Sequence, residues 1–163
     1  MTHTGHVATE IERKFLVQQA PGADERGAGT PMRQGYVAEE GGVSVRVRIT
    51  DTAARLTIKA GSGVARTEVE VPLDPAEAES LWPFTEGRRI EKRRHDIPLG
   101  GDDVAELDVY AGPLDGLLTV EVEFGDEDAA ASFTPPAWFG REVTGEPGWS
   151  NLDLSRNGRP AGA

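Results

Sequence analysis

Apolar and charged residues alternate with a period of two along most of the chain. This alternation is typical of β-strands, because successive side chains point to opposite faces of a sheet. It predicts seven strands, at residues 9–17, 43–50, 55–60, 66–71, 91–97, 104–110 and 117–124, and a weaker eighth at 32–38. Several links are short and glycine-rich, such as residues 40–42, so we expect antiparallel neighbours.

Three short helices are predicted between or after these strands. Each begins at a residue that caps helices, and the caps are Asp74, Asp126 and Ser150. Their expected ends are Pro83, Phe133 and the neighbourhood of Gly158. Strands followed by a few short helices indicate the α+β class.

The 163 residues are expected to form one domain, residues 1–163. Within it, residues 1–8 are expected to be a flexible tail and residues 21–31 a loop. Residues 148–163 are expected to form a C-terminal helix and tail.

One face of the predicted strands is almost wholly charged, and the other is almost wholly apolar. Eight basic and eight acidic residues share the charged face. They are Glu10, Glu12, Lys14, Arg46, Arg48, Arg55, Lys59, Arg66, Glu68, Glu70, Lys92, Arg94, Glu106, Asp108, Glu121 and Glu123. An ordinary sheet would expose this face to water. Like charges in neighbouring doublets cost energy unless a ligand bridges them, which favours a closed eight-stranded antiparallel barrel with a charged interior and helices outside.

Overall charge and composition exclude several classes of function. Seventeen Lys and Arg against 28 Asp and Glu give a net charge of −11, so we expect no nucleic-acid or membrane partner. The absence of cysteine excludes disulfides, thiolate metal sites and cysteine nucleophiles. The first nine residues lack the apolar segment of a signal peptide, and we expect a cytoplasmic protein.

A cavity with this lining suits a small, dense polyanion. Several converging Arg and Lys side chains match an anion with many charged oxygens, such as a triphosphate. The carboxylates Glu10, Glu12, Glu121 and Glu123 suit Mg²⁺ or Mn²⁺, which prefer oxygen ligands and bridge carboxylates to phosphates. For each pair of opposite charges, the alternative to a ligand-binding role is an interior salt bridge. For Arg55, Arg66 and Glu106 the two roles have equal weight.

An ordered series of motifs resembles the CYTH superfamily, the triphosphate tunnel metalloenzymes. The series begins with the Glu-x-Glu-x-Lys signature at residues 10–14 and covers nearly the whole chain, to residue 160. Later matches are residues 34–36, 45–48, 56–59, 66–70, 90–94, 106–112, 120–124, 150–152 and 157–160. The resemblance implies an eight-stranded tunnel that binds triphosphate compounds with a divalent metal and has a C-terminal helix closing one mouth.

The resemblance also assigns roles to individual residues. The implied substrate-binding residues are Lys14, Arg46, Arg48, Lys59, Lys92 and Arg94, and Arg66 is a further candidate to which the resemblance gives no firm role. The implied metal ligands are Glu10, Glu12, Glu121 and Glu123, with Asp108 as a further candidate and Mg²⁺ or Mn²⁺ as cofactor. The candidate catalytic residues are Lys14, Arg48, Lys92, Glu12 and Tyr36.

Short members of this superfamily are chiefly inorganic tripolyphosphatases, so we expect metal-dependent hydrolysis of tripolyphosphate to pyrophosphate and phosphate by a monomer or homodimer. An organic triphosphatase, acting on thiamine triphosphate or nucleotides, and an adenylate cyclase are alternatives within the same fold. A non-catalytic module that binds a phosphate-rich ligand is the alternative from another class, and fold alone does not choose among them.

Overall fold

Eight antiparallel strands close into a barrel in the computed structural model, which describes residues 5–61 and 65–161. The strands are β1 (His6–Leu16), β2 (Thr30–Glu40), β3 (Val43–Thr50), β4 (Ala54–Ala60), β5 (Ala65–Leu73), β6 (Arg89–Gly100), β7 (Asp103–Tyr110) and β8 (Leu118–Glu123). Their order around the barrel is β1-β5-β4-β3-β2-β6-β7-β8. The predicted α+β barrel of eight strands is confirmed.

The first strand closes the barrel by pairing with two different strands. Its first half pairs with β5, where Glu10 lies opposite Arg66. Its second half pairs with β8, where Glu12 lies opposite Glu123. β5 and β8 thus lie along the two edges of β1, and the pairing with β8 places Glu12 beside Glu123 on the inner face.

The apolar faces of the strands point outward and are covered by helices and loops. Phe15, Leu107 and Val120 pack in one cluster with Ala130 and Phe139 from the covering segments. A second outer cluster contains Val47 and Ala78. A further cluster differs, because Ile90 and Tyr110 lie on the inward faces of β6 and β7 and pack with Leu154. Apart from these inward residues, the predicted separation of a charged interior from an apolar exterior is confirmed.

Four short helices accompany the barrel, namely α1 (Ala23–Arg26), α2 (Pro75–Leu81), α3 (Glu127–Ser132) and α4 (Asn151–Asn157). The predicted caps lie at the starts of the last three. The backbone N–H of Asp74 donates to Glu77 Oε2 at 2.8 Å, and Ser150 Oγ accepts from the Asp153 N–H at 3.0 Å. Among the described residues, no helix has the length and apolar character that a membrane crossing needs.

The structure differs from the sequence-based expectations at two segments. Strand β1 begins at His6 and pairs there with β5, so residues 6–8 of the expected tail belong to the sheet, while residues 1–4 lie outside the described part. Residues 21–31 are not a simple loop, because they contain the one-turn helix α1 and the start of β2. Both differences arise because short polar segments acquire structure from neighbours that a local pattern does not reveal.

Replacing Asp126 by alanine is expected to lower the free energy of unfolding by about 1 kcal/mol. Its Oδ1 accepts a hydrogen bond from the Ala129 N–H at 2.7 Å and thereby caps α3. Urea unfolding of Asp126→Ala beside Asp128→Ala measures this, because the control also removes one carboxylate from the first turn but leaves the cap. Equal losses in the two variants would contradict the capping role.

Candidate active site

A cavity of about 520 Å³ lies inside the barrel. Most of the predicted site residues line it, namely Glu10, Glu12, Lys14, Tyr36, Arg46, Arg48, Lys59, Arg66, Arg94, Glu121 and Glu123. Lys92 and Asp108 are the two predicted site residues that do not. The alternation of the strands therefore places one mixed set of cations and carboxylates around a shared space.

Three carboxylates converge on one side of this cavity. Glu10, Glu12 and Glu123 each offer an oxygen within 4.8 Å of the others. Glu12 and Glu123 are direct cross-strand neighbours, an arrangement that repels when both are ionised. Burial and nearby Glu121 raise the pKa of Glu12 to about 7, and burial and nearby Glu106 raise the pKa of Glu123 to about 7.

This cluster fits a divalent cation. Three carboxylate oxygens are the donor set that Mg²⁺ and Mn²⁺ prefer, and a cation would offset the repulsion that raises the two pKa values. Of the five predicted metal ligands, the structure groups Glu10, Glu12 and Glu123. The other two, Glu121 and Asp108, lie outside this group of three, where Lys14, Lys92 and Arg94 hold them.

Glu121 is an anchor for two cations of the wall. Its carboxylate lies 2.9 Å from Lys14 Nζ and 3.3 Å from Arg94 Nη2. Burial opposes its charge, but Lys14 and Arg94 hold the pKa of Glu121 well below the usual range. In the same way Glu121 outweighs the burial of Lys14 and raises the pKa of that amine. Both groups are therefore charged at neutral pH.

Lys92 and Asp108 form a layer behind the cavity wall. Both side chains are fully buried, and Lys92 Nζ donates to Asp108 Oδ2. Asp108 also accepts two hydrogen bonds of 2.8 Å from Arg94, whose guanidinium reaches the cavity. Burial and nearby Arg94 lower the pKa of Lys92 to about 7. The placement of Asp108 makes it a support for Arg94, and Lys92 has no direct access to the cavity.

Arg46 and Arg48 differ from the other cations of the cavity. Neither forms an ion pair with a carboxylate of residues 5–61 or 65–161, although both line the cavity. Burial, with nearby Arg46 and Arg94, lowers the pKa of Arg48 to about 10, so its guanidinium still carries its charge at neutral pH. A pair of partly desolvated guanidinium groups without a direct carboxylate partner is a strong anion site.

The remaining cations lie beside carboxylates. Lys59 Nζ is 2.6 Å from Glu10 Oε1, and Arg66 Nη2 is 3.1 Å from Glu10 Oε2 and also contacts Glu12. Arg66 thus adjoins the carboxylate cluster. Arg55 is half-exposed and lies 3.6 Å from Glu70, outside the cavity lining.

Sequence reasoning missed two kinds of residue at this site. Gln34 and Thr57 are neutral, but they share strand faces with charged residues and contact Arg48 and Arg46. The alternation of inward and outward positions along the strands could have indicated that both side chains point into the barrel. Residues 143–146 also line the cavity, and no local pattern indicates that they reach the barrel. Residues 149–152 line it as well and include the start of α4, in the C-terminal segment that the resemblance implies to close one mouth.

Mg²⁺ is expected to raise the melting temperature more at about pH 8 than at about pH 5.5. Since the pKa values of Glu12 and Glu123 are raised to about 7 from 4.5, the folded protein binds more protons than the unfolded chain between these values. The metal-free fold therefore loses stability as pH rises through this window, and protons compete with metal at its lower end. Calorimetry with and without Mg²⁺ at both pH values measures the difference, and equal shifts would contradict it.

Comparison with known proteins identifies the relatives of this chain. The inorganic triphosphatase of Nitrosomonas europaea is 45% identical over 148 residues, which is 90% of this chain and 97% of that protein. The chain belongs to the inorganic triphosphatase family. A second member of the family, the inorganic triphosphatase of Acetivibrio thermocellus, is 37% identical over 150 residues, or 91% of this chain and 94% of that protein.

A solved structure of an inorganic triphosphatase has the same fold. It superposes with a TM-score of 0.68 at 42% identity and covers 94% of this chain and 98% of the solved chain. No protein-family model matches the sequence. The expected membership in the CYTH superfamily is confirmed by the relatives and by the closed barrel together.

Proposed function

We propose that this inorganic triphosphatase family member hydrolyses inorganic tripolyphosphate to pyrophosphate and phosphate, with Mg²⁺ or Mn²⁺ as cofactor. One observation carries the proposal. Arg46 and Arg48, which have no carboxylate partner in the part of the chain that the structure describes, line the same cavity as a cluster of three carboxylates. The names of the relatives, which are inorganic triphosphatases, support the substrate.

The cationic wall would bind the phosphate oxygens. Arg46 and Arg48 are the principal anchors, because a bound anion would not have to displace a carboxylate from them. Lys14, Lys59 and Arg94 are held in place by their own ion pairs and add positive potential to the cavity. Tyr36 lies opposite Arg46 on the neighbouring strand and lines the same space.

Glu10, Glu12 and Glu123 would hold the divalent metal. When bound, the metal would supply charge neutralisation for the phosphate oxygens and lower the pKa of a water molecule. The chain itself contributes the charged groups that bind and orient the substrate for transfer of a phosphoryl group to water. In this reaction water adds to a terminal phosphorus atom, the bond to the bridging oxygen breaks, and pyrophosphate leaves.

The test is phosphate release from tripolyphosphate and from ATP with Mg²⁺ or Mn²⁺, and with EDTA as the control. We expect turnover of tripolyphosphate to exceed turnover of ATP and to stop in EDTA. Equal or faster turnover of ATP would indicate an organic triphosphatase. Cyclic AMP among the products would indicate a cyclase, and binding without phosphate release under any divalent metal would indicate a binding module.

A further inference from the structure

The register of the barrel divides the cations of the cavity into two groups. In the first group, a carboxylate occupies the directly opposite position on a neighbouring strand. The pairs are Lys14 with Glu121, Lys59 with Glu68, Arg66 with Glu10, and Arg94 with Asp108. Each of these cross-strand pairs is also an ion pair, with distances between 2.8 and 3.1 Å.

Arg46 and Arg48 form the second group, because their cross-strand partners are neutral or basic. Arg48 lies between Gln34 and Arg55, and Arg46 lies between Tyr36 and Thr57. The register thus leaves this pair of arginines without an opposite carboxylate on either side.

Two of the three neutral partners, Gln34 and Thr57, nevertheless hold the guanidinium groups. Gln34 Oε1 accepts a hydrogen bond from Arg48 Nε at 3.3 Å, and Thr57 Oγ1 accepts one from Arg46 Nη2 at 3.2 Å. Both Gln34 and Thr57 are fully buried. The Thr57 hydroxyl donates in turn to Glu70 Oε1 at 3.2 Å, so it stands between Arg46 and Glu70, its cross-strand neighbour on β5.

Burial of the Gln34 amide is expected to lower the stability of the fold, so packing alone does not account for this residue. Its Nε2 atom is buried and has no hydrogen-bond partner among the described residues. An unsatisfied buried donor is unfavourable, whereas an apolar side chain of similar length would avoid it. The useful part of this side chain is therefore the oxygen that faces Arg48.

We infer that Gln34 and Thr57 are positioning residues that orient Arg48 and Arg46 without neutralising them, so that both charges stay available for the substrate. The inference rests on the proposed function. A neutral acceptor fixes a guanidinium by one hydrogen bond, while a carboxylate in its place would form a charge-assisted pair that an incoming phosphate must break. The register of β2, β3 and β4 would then set the affinity for the triphosphate.

Gln34→Glu beside Gln34→Met tests this role. The first variant keeps the shape and adds a carboxylate opposite Arg48, and the second only removes the hydrogen bond. We expect Gln34→Glu to raise KM for tripolyphosphate by about 30-fold or more with a smaller change in kcat, and Gln34→Met to raise KM by only a few-fold. Equal KM values for the two variants would overturn the inference.

A double-mutant cycle separates positioning from a general structural effect. In the Arg48→Met background, Gln34→Glu should change KM less than about twofold, because its target is absent. An undiminished effect in that background would overturn the inference. Thermal unfolding of each variant reports on the fold.

If Gln34→Glu does not fold, Thr57→Asp beside Thr57→Val repeats the comparison at Arg46. Equal KM values for these two Thr57 variants would again overturn the inference.

Direct binding distinguishes failure of this inference from failure of the proposed function. Calorimetric titration of tripolyphosphate into the same variants in EDTA measures affinity without turnover. If the wild-type protein binds but does not hydrolyse tripolyphosphate, the proposed function fails. The inference still stands if Gln34→Glu weakens binding more than Gln34→Met does, and it fails if the two variants bind equally.

Discussion

Replacing Glu123 by glutamine is expected to lower kcat/KM for tripolyphosphate by about 10³-fold. Glu123 supplies one of the three carboxylates that converge within 4.8 Å, and a glutamine amide is a much weaker ligand for a divalent cation. High concentrations of Mn²⁺ should restore part of the activity, because the other two carboxylates remain. Phosphate release across a metal titration measures both effects.

The same substitution should not destabilise the metal-free fold. Since burial and neighbouring carboxylates raise the pKa of Glu123 to about 7, its charge is unfavourable above that pH. Glu123→Gln removes this charge, so the melting temperature at about pH 8 should stay the same or rise. Glu91→Gln, which removes an exposed carboxylate from the outer face of β6, should keep nearly full activity. Near-native activity of Glu123→Gln would place the metal elsewhere.

Replacing Arg48 by methionine is expected to lower kcat/KM for tripolyphosphate by about 10²-fold or more, chiefly through KM. The guanidinium has no carboxylate partner among the described residues, and its hydrogen bond goes to the neutral Gln34 at 3.3 Å. Its interaction with a phosphate would therefore be lost without a compensating gain elsewhere. Initial rates over a range of tripolyphosphate concentrations separate KM from kcat.

Arg55→Met is the matched control for Arg48→Met. Arg55 lies directly opposite Arg48 on β4, but it is half-exposed and does not line the cavity. We expect its removal to change kcat/KM by less than about threefold, since exposed ion pairs contribute little. Similar losses for the two arginines would show that overall positive charge, rather than the position of Arg48, determines substrate binding.

The direction of each strand face could be predicted from the sequence, because alternation with a period of two depends only on neighbouring residues. The distance of each inward side chain from the cavity could not be predicted in this way. Lys92 and Arg94 share a face of β6, yet only Arg94 lines the cavity, because Lys92 lies opposite Tyr110 and is buried with Asp108. How far a side chain lies from the open space depends on the packing of three adjacent strands.

The composition of the carboxylate cluster was only partly predictable for a related reason. Glu12 and Glu123 meet because β1 pairs with β8 in the register that places these two residues opposite each other. That register joins strands more than a hundred positions apart, and no local pattern specifies it. Asp108 also carries a carboxylate on the inward face, but its hydrogen-bond partners on β6 are the cations Lys92 and Arg94.

The pairing of β1 with β8 has a consequence for the biogenesis of the enzyme. During synthesis, β1 cannot complete its hydrogen bonding until β8 has been made. The barrel therefore cannot close before most of the chain has been synthesised. Glu10 and Glu12 stand on one side of that seam and Glu123 on the other. A nascent or truncated polypeptide that lacks the last strand therefore cannot assemble the acidic cluster, and catalytic competence arises together with the finished barrel.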